Sequence, residues 1–360
     1  MQKAIPFLFM RGGTSRGPYF LRGDLPEDQD TLSTVLISAL GSGHSLNIDG
    51  IGGGNAVTTK VAMLSRSDDD WADVDYFFAQ VSVDDRKVDF KPTCGNILSG
   101  VGPAAIEMGL VKPMEGTTTV RIRAVNTGAK IQAEVRTRDS MVQYDGETRI
   151  DGVPGTAAPI ALHFMGVAGS STGKLLPSGQ LTDTIDGIEV TCLDVAMPMV
   201  IAKASDFGLI GTESPDDLNA NKAFFERMES IRLKAGELMG MGDCRDSVTP
   251  KFGLLSPAQQ GGSIAARYFM PWSAHPTMAV TGAQCLSACA LIPGTVADGL
   301  WERPDTTPTT VTLEHGSGQI DVIVDHEFQD GRFVHRSAGL VRTARKLAAG
   351  ELFVPARIWS

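Results

Sequence analysis

Two apolar segments, each rich in small residues, most constrain how this chain can fold. TCGNILSGVGPAAIEMGLV begins at Thr93, and HPTMAVTGAQCLSACALI begins at His275. The first repeats its apolar positions at helical spacing, the second echoes it, and small residues on several sides are typical of a helix buried all round. Strand-like runs with polar turns flank both segments, such as WADVDYFFAQVSVDDRKVDF before the first. We therefore predict an α+β fold with two similar domains, each a mixed, mostly antiparallel sheet wrapped around a central helix.

The length of the chain supports this division. At 360 residues the chain lies where single hydrophobic cores usually split into two. We predict a first domain over residues 1–180 and a second over 181–345, with a strand in 346–360 returning to the first. Residues 154–180 are rich in Gly, Ala, Ser and Thr without clear periodicity, which is typical of a crossover.

Charge and cysteine usage exclude several classes of function. A net charge of −10 argues against nucleic-acid binding, which needs clustered Lys and Arg. The apolar run near the start is too short for a signal peptide or a membrane span, so we expect a cytoplasmic protein without a membrane partner. The five cysteines are scattered and should be free thiols. The histidines show no metal-ligand spacing, and a homodimer is the default assembly.

Cys94 is the first candidate for chemistry. It stands in TCGN at the start of the first apolar helix, with Thr93 as the expected N-cap. Unpaired backbone N–H groups and the helix dipole at such a position favour a thiolate and attract carboxylates. The alternative is that Cys94 is a small core residue, as we expect for Cys285 and Cys289 in the second helix.

Lys60 is the second candidate. It follows the loop IDGIGGGN and lies in a strand predicted from Val57 to Ser65. In a desolvated pocket a lysine becomes a usable base at neutral pH, whereas the alternative is a solvated strand lysine. The loops RGGTSRG and IDGIGGGN match no nucleotide-binding pattern. Their N–H groups and the hydroxyls of Thr14 and Ser15 suit carboxylates, although a plain hairpin turn is nearly as consistent with the first loop.

Several phrases, in order along the chain, resemble one known family. MRGGTSRG, IDGIGGGNAVTTK, VDYFFAQV, TCGNILSGVG, RIDGVPGTAAP and LVRTARK are similar to motifs of the 4-oxalomesaconate tautomerase and 2-methylaconitate isomerase family, essentially end to end. The resemblance implies a diaminopimelate-epimerase-like fold with the active site in the cleft between the domains. It also implies no metal, flavin or pyridoxal phosphate, hence no cofactor, with Lys60 and Cys94 as acid and base.

The chain departs from the family pattern in its second half. His315-Gly316-Ser317-Gly318 stands where HPSG is common, and Pro271-Trp272 replaces a histidine-containing PH motif. Epimerases of this fold use two facing cysteines, but the second helix begins near Thr277 and Met278. These departures argue against a symmetric two-thiol racemase.

The expected reaction is a 1,3-allylic proton shift on a small unsaturated di- or tricarboxylate. Lys60 removes the allylic proton, Cys94 or the same lysine returns it two carbons away, and backbone N–H groups hold the developing oxyanion. Arg11 and Arg267 would supply positive charge, although Arg267 also fits a surface arginine. The predicted substrate-binding residues are Arg11, Thr14, Ser15, Asn55, Gly95, Asn96, Arg267, Thr277, Met278, Ser317 and Gly318.

The identity of the substrate stays open at this point. A 4-oxalomesaconate tautomerase is the first expectation, and a 2-methylaconitate or methylitaconate isomerase is the alternative. An amino-acid epimerase or racemase would share the fold, and a catalytically idle binding protein is a further class.

Overall fold

The computed structural model describes residues 1–359, and the chain divides into two compact units. Unit 1 comprises Met1–Phe164 together with the segment from Val341 onward, and unit 2 is Met165–Leu340. The boundary therefore falls earlier than the predicted residue 180, and the return begins earlier than 346. The reason is a strand over Pro159–Met165, which the small-residue composition of this region hides from a sequence reading.

The elements are as follows, in chain order. The strands and helices up to the end of unit 1's first segment are β1 (Gln2–Gly12), β2 (Ser15–Leu21), α1 (Gln29–Leu40), β3 (Lys60–Arg66), β4 (Val74–Val81), β5 (Val88–Asp89), α2 (Gly95–Leu98), α3 (Val101–Glu107), β6 (Gly116–Ala124), β7 (Ala129–Arg138), β8 (Met141–Val142) and β9 (Pro159–Met165). There follow β10 (Asp183–Ile185), β11 (Ile188–Asp194), β12 (Pro198–Lys203), α4 (Pro215–Ala220), α5 (Lys222–Leu238), β13 (Lys251–Ser256), β14 (Ile264–Phe269), α6 (Val280–Leu291), β15 (Thr309–His315), β16 (Gly318–Gln329) and β17 (Arg332–Pro355). Short 3₁₀ turns occupy Arg22–Asp24, Ala56–Thr58 and Ala204–Phe207.

The sheet of unit 1 closes on itself around α2 and α3. Pairing is antiparallel for β1–β2, parallel for β2–β3, antiparallel for β3–β4, parallel for β4–β6 and antiparallel for β6–β7. Strand β9 pairs with both β7 and β17, and β17 pairs with β1. Each strand therefore has an inner side that faces the two short helices and an outer side. The inner side carries the larger apolar core, which includes Tyr19, Tyr76, Phe78 and Ile97.

The first apolar segment forms two short helices instead of one. Cys94, and not the predicted Thr93, is the N-cap of α2, and Gly100 separates α2 from α3. Pro103 has no backbone N–H to continue the hydrogen-bond ladder from the preceding turn. An added Cβ on Gly100 would lie 2.3 Å from the Tyr19 hydroxyl. The break thus accommodates a buried tyrosine beside the helix.

Unit 2 repeats the pairing order of unit 1. Pairing is antiparallel for β11–β12, parallel for β12–β13, antiparallel for β13–β14, parallel for β14–β15 and antiparallel for β15–β16. Helix α6 follows the fourth of these strands, as α2 and α3 follow β4. It is buried from Gly282 to Leu291, with Cys285 and Cys289 in its core as predicted. The predicted duplication, two sheets each with a central helix, is present in the strand pairing.

Candidate active site

Lys60 is the first residue of β3 and is half-buried. Its Nζ lies 2.7 Å from Oε1 of Gln80 on the paired strand and 5.5 Å from the centroid of the Phe78 ring. The amide of Gln80 is oriented by its Nε2, which donates to the carbonyl of Ala56 at 3.1 Å. Among residues 1–359, Lys60 forms no ion pair with a carboxylate. Its charge is therefore available to an anionic ligand.

The turn before Lys60 differs from the predicted strand. Ala56–Thr58 is a 3₁₀ turn, and β3 begins only at Lys60. The Oδ1 atom of Asn55 accepts the N–H of Val57 at 3.1 Å and so caps this turn. The structure thus gives Asn55, predicted to bind substrate, a role in holding the turn that leads to Lys60.

Cys94 is half-buried at the N-cap of α2. Its carbonyl accepts the hydroxyl of Tyr76 at 3.4 Å. Within the described part of the chain, the backbone N–H groups of Gly95 and Asn96 donate to no protein acceptor, so they can bind an oxyanion. Because α2 spans only four residues, its helix dipole contributes little at Cys94. The local backbone N–H groups of Gly95 and Asn96 supply most of the positive potential there.

One strand joins the two candidates. Tyr76, Phe78 and Gln80 alternate along β4, so their side chains share its inner side. Tyr76 contacts Cys94, Gln80 contacts Lys60, and the rings of Tyr76 and Phe78 lie 6.3 Å apart between them. The amine and the thiol therefore belong to the same wall of unit 1. Sequence reasoning missed these β4 residues, although the period-two alternation of DYFFAQ and the hairpin from β3 would have found them.

The hairpin β1–β2 fits against both candidates through glycines. A Cβ added to Gly13 would lie 2.1 Å from Oδ1 of Asn96, and a Cβ added to Gly17 would lie 1.7 Å from the carbonyl oxygen of Lys60. No larger residue fits at either approach without backbone movement. The N–H of Thr14 donates to the same Oδ1 of Asn96 at 3.2 Å.

Ser15 lies in the same hairpin and carries an unused hydroxyl. Its side chain is 3% exposed, and its Oγ has no hydrogen-bond partner. A buried hydroxyl without a partner is costly, so this group fits a polar ligand. Thr14 and Asn96 are thus in contact next to Cys94, and Ser15 follows Thr14 in the same hairpin. Substrate binding by these residues and Gly95 stays a prediction.

Arg11 lies on the other side of the sheet. It alternates in β1 with Met10 and Gly12, which face the central helices. Its Nη1 donates to the carbonyl of Gly13 at 2.9 Å and to both oxygens of Thr343 at 3.0 Å. The expectation that Arg11 supplies positive charge beside Lys60 and Cys94 is therefore wrong, because one-residue alternation directs its side chain outward.

Four of the predicted residues of unit 2 form a second group. The N–H of Thr277 donates to Nδ1 of His275 at 3.0 Å, and Met278 is buried just before α6. The hydroxyl of Ser317 donates to the carbonyl of Pro276. Gly318, at the turn between β15 and β16, has a φ of 139°, a value that favours glycine.

Arg267 does not join that group. It is 8% exposed, and its guanidinium donates to the carbonyls of Glu213 and Ala266, both at 2.9 Å. Burial lowers its pKa from the usual value. The neighbouring Tyr268 faces α6, because a Cβ on Gly282 would lie 2.8 Å from its ring. Arg267 therefore points to the opposite side of β14, where it holds backbone carbonyls.

Lys251 is a residue that sequence reasoning missed. It is the first residue of β13, the place in unit 2 that Lys60 has in unit 1. It shares the α6-facing side with Gly253, whose added Cβ would lie 2.7 Å from Leu286. Burial, and next the charge of Arg232, lower its pKa. Burial also lowers the pKa of His275, and the charge of Lys251 lowers it further. Aligning the two halves by strand order would have revealed Lys251.

Solved structures define the class of the protein. The crystal structure of methylitaconate-delta-isomerase has a TM-score of 0.91 and 34% identity, and covers 99% of this chain and 97% of that chain. A hydroxyproline epimerase from Agrobacterium vitis, at 12% identity and a TM-score of 0.51, covers 98% of this chain and 94% of its own and shows the same fold. The chain thus has the predicted α+β, diaminopimelate-epimerase-like fold.

Sequence relatives then give the family. A family model described as PrpF protein matches residues 2–355. YbhH of Escherichia coli (strain K12), which carries an isomerase name without a substrate, is 50% identical over 98% of this chain and 100% of its own length. The 4-oxalomesaconate tautomerase of Pseudomonas putida is 44% identical over 99% of this chain and 98% of its own. The chain belongs to the PrpF family and is an isomerase, so the resemblance is confirmed.

Two further observations limit other functions. No helix within residues 1–359 is both long and apolar enough to cross a membrane. In the same residues, His, Cys, Asp and Glu side chains form no group of three or more that could hold a metal ion.

Proposed function

We propose that this isomerase catalyses a 1,3-allylic proton shift on an unsaturated polycarboxylate, most specifically as a 4-oxalomesaconate tautomerase. The observation that carries the proposal is the placement of the Lys60 amine, which forms no ion pair within residues 1–359, and of Cys94 along the inner side of β4. The 44% identity to the Pseudomonas putida 4-oxalomesaconate tautomerase supports the choice of substrate.

In this reaction the Lys60 amine removes a proton from the allylic carbon. The C–H electron pair enters the conjugated system and gives a dienolate, whose negative charge collects on a keto or carboxylate oxygen. The free N–H groups of Gly95 and Asn96 donate to that oxygen. The Cys94 thiol or the Lys60 ammonium then returns a proton two carbons away, and the double bond ends one position along. No external oxidant, metal or cofactor is needed for this balance.

Substrate carboxylates need a locally positive site on a chain of net charge −10. Once Lys60 has accepted the allylic proton it is a cation beside the dienolate, and no carboxylate within residues 1–359 forms an ion pair with it. Within unit 2, Lys251 and not Arg267 is the cation on the helix-facing side of its strand. The hydroxyls of Thr14 and Ser15 are neutral donors to the substrate at Lys60.

Substitution at the two reacting groups tests the proposal. Lys60→Met and Cys94→Ser should each lower turnover by about 10²–10⁴-fold, the usual contribution of a general acid or base, with circular dichroism unchanged. Lys112→Met, at an exposed lysine, is the matched control and should keep full activity. Normal turnover in either site variant would remove that residue from the mechanism.

A substrate panel in deuterated buffer separates the remaining functions. We expect 4-oxalomesaconate to gain solvent deuterium with a moving ultraviolet band. Methylitaconate and 2-methylaconitate belong in the same panel, since the methylitaconate-delta-isomerase structure makes them the second candidates. An epimerase would instead label a saturated Cα without a moving band. Thermal stabilisation by these acids without any exchange would indicate a binding protein and reject an enzymatic role.

We further propose a cytoplasmic location and a small-molecule partner, with neither nucleic acid nor membrane bound. The five cysteines are free thiols, as suits a reducing compartment. A homodimer stays a prediction, which light scattering of the purified protein would test.

A further inference from the structure

Three arginines lie side by side on the outer side of the unit 1 sheet. In the strand register, Arg11 is directly opposite Arg16 of β2 and directly opposite Arg345 of β17. Opposite residues on paired strands project to the same side, with Cβ atoms about 4.5–5.5 Å apart. Like charges in this arrangement repel each other and destabilise the sheet. A negatively charged group close to the three arginines would offset this repulsion. Such a group could be a carboxylate of the protein or a bound anion.

The protein does not provide such a carboxylate. Within residues 1–359, the side chains of Arg16 and Arg345 form no ion pair and donate no hydrogen bond to the protein. Asp145 lies in the same surroundings but forms no ion pair with any of the three. Burial, and next the charge of Arg345, lower the pKa of Arg11. The charge of Arg345 therefore acts on Arg11 without a carboxylate of the described residues paired to either of them, on a chain that carries an excess of acidic residues.

The arginines line a cavity of about 410 Å³. Residues of the segment from Thr148 to Ala157 also line it, and Thr156 and the buried Thr343 add hydroxyls. Three phrases that carry the family resemblance, MRGGTSRG, RIDGVPGTAAP and LVRTARK, meet at this cavity. Arg11 and Arg345 are not among the described residues that contact Lys60 or Cys94, whereas Arg16 approaches Gly53 in the loop before Lys60.

The two sites lie on opposite sides of the sheet. Arg11 and Arg16 alternate with Gly12 and Gly17, and those glycines approach Asn96 and Lys60 on the inner side. The guanidinium of Arg11 is fixed in place by Gly13 and Thr343. Arg16 and Arg345 are exposed beside it, and all three arginines line the cavity. The Arg16 guanidinium lies 5.7 Å from the centroid of the Phe9 ring.

We propose that this cavity is an anion site separate from the reacting centre, which binds a small molecule carrying clustered oxyanions. Guanidinium groups match carboxylate and phosphate oxygens in a two-point geometry. Three of them in a row suit a tricarboxylate or a phosphate better than a single monovalent ion. The proposal concerns binding and stands independently of the reaction assigned to Lys60 and Cys94.

Titration with two probes tests this site. Calorimetry and thermal shift would use citrate and inorganic phosphate, at constant ionic strength against sodium chloride. The wild type should bind at least one probe, and Arg16→Gln and Arg345→Gln should each weaken it by about tenfold or more. Arg138→Gln is the matched control, since its side chain is 77% exposed and lies outside this cavity. Tighter binding of citrate or of phosphate identifies which oxyanion class the site prefers.

A crossed experiment separates this cavity from the reacting centre. Lys60→Met should keep the same probe affinity, while the double variant Arg16→Gln, Arg345→Gln should lose it and retain turnover at saturating substrate. Equal binding by the wild type and the double variant would refute the site. Loss of binding in Lys60→Met, or competition between probe and substrate with a matching rise in KM for Arg345→Gln, would refute its separateness.

Discussion

The replacement Gln80→Glu tests whether the Lys60 amine acts as a base. The side-chain oxygen of Gln80 lies 2.7 Å from Nζ and is held there by the amide's contacts to the preceding turn. Glutamate has nearly the same shape, so the substitution places a negative charge against the amine with little rearrangement. A neighbouring carboxylate favours the ammonium form, and an ammonium cannot accept the allylic proton.

The size of the effect follows from that distance. Two unit charges 2.7 Å apart attract by about 1.5 kcal/mol in bulk water and by about 6 kcal/mol at an effective dielectric constant of 20. Lys60 is half-buried, so the effect falls between these limits. A carboxylate at such a distance moves the protonation of its partner by about 1 to 3 pH units. The rate at neutral pH should therefore fall by about 10- to 1,000-fold, since each pH unit is tenfold in the fraction of free amine.

The assay is the pH dependence of kcat/KM, followed as deuterium incorporation between pH 6 and 10. For Gln80→Glu, kcat/KM should lie below that of the wild type throughout this range, because the added carboxylate favours the ammonium form of Lys60. Gln80→Met removes the hydrogen bond without adding charge and should keep kcat/KM closer to that of the wild type. Equal profiles for Gln80→Glu and the wild type, with the protein folded, would show that protonation of Lys60 does not control the rate.

Three further predictions concern packing and pH. Tyr19→Phe removes the buried hydroxyl that donates to a carbonyl of α2 at 2.5 Å; urea unfolding should show a loss of about 1 kcal/mol together with a lower kcat. Gly17→Ala places a Cβ 1.7 Å from the carbonyl of Lys60 and should lower the free energy of unfolding by about 1–3 kcal/mol, as measured by thermal unfolding. Gly23→Ala has open space around the new Cβ and should leave the melting temperature unchanged. His335 has its pKa lowered to about 4, first by burial, and its ring nitrogens have no partner. As pH falls from 6.5 toward 4, His335 therefore binds a proton in the unfolded chain but not in the folded one. The wild type should lose up to about 3 kcal/mol of stability in that window, and His335→Phe should abolish this loss.

Much of the fold could be predicted from residue patterns. Helical spacing with small residues identified both central helices, and alternation identified the flanking strands. The parallel and antiparallel pairings could not be predicted, because register depends on contacts between distant segments. The break between α2 and α3 also escaped prediction, since it depends on Tyr19, a residue distant in the chain that occupies the space beside Gly100.

The candidate site was predictable only in part. Lys60 and Cys94 stood out because their residue types are unusual in apolar surroundings. The side on which an arginine projects, however, changes with a shift of one residue. Arg11 and Arg267 were expected beside the reacting groups, and both lie on the opposite side of their strands. Gln80 and Lys251 were missed because only the pairing of strands brings them to the inner sides.

The duplicated fold and the asymmetry of its residues together bear on the type of reaction. A two-thiol racemase removes a proton on one face of a carbon and returns it on the other, so each half must carry a cysteine at the start of its central helix. The residue at the start of α2 is Cys94, whereas the corresponding N-cap of α6 is Ala279, whose side chain carries no exchangeable proton. Unit 1, in contrast, carries both an amine and a thiol on one wall. Two proton carriers on one wall suit removal and return at two carbons of an extended conjugated system, which is what an allylic shift requires.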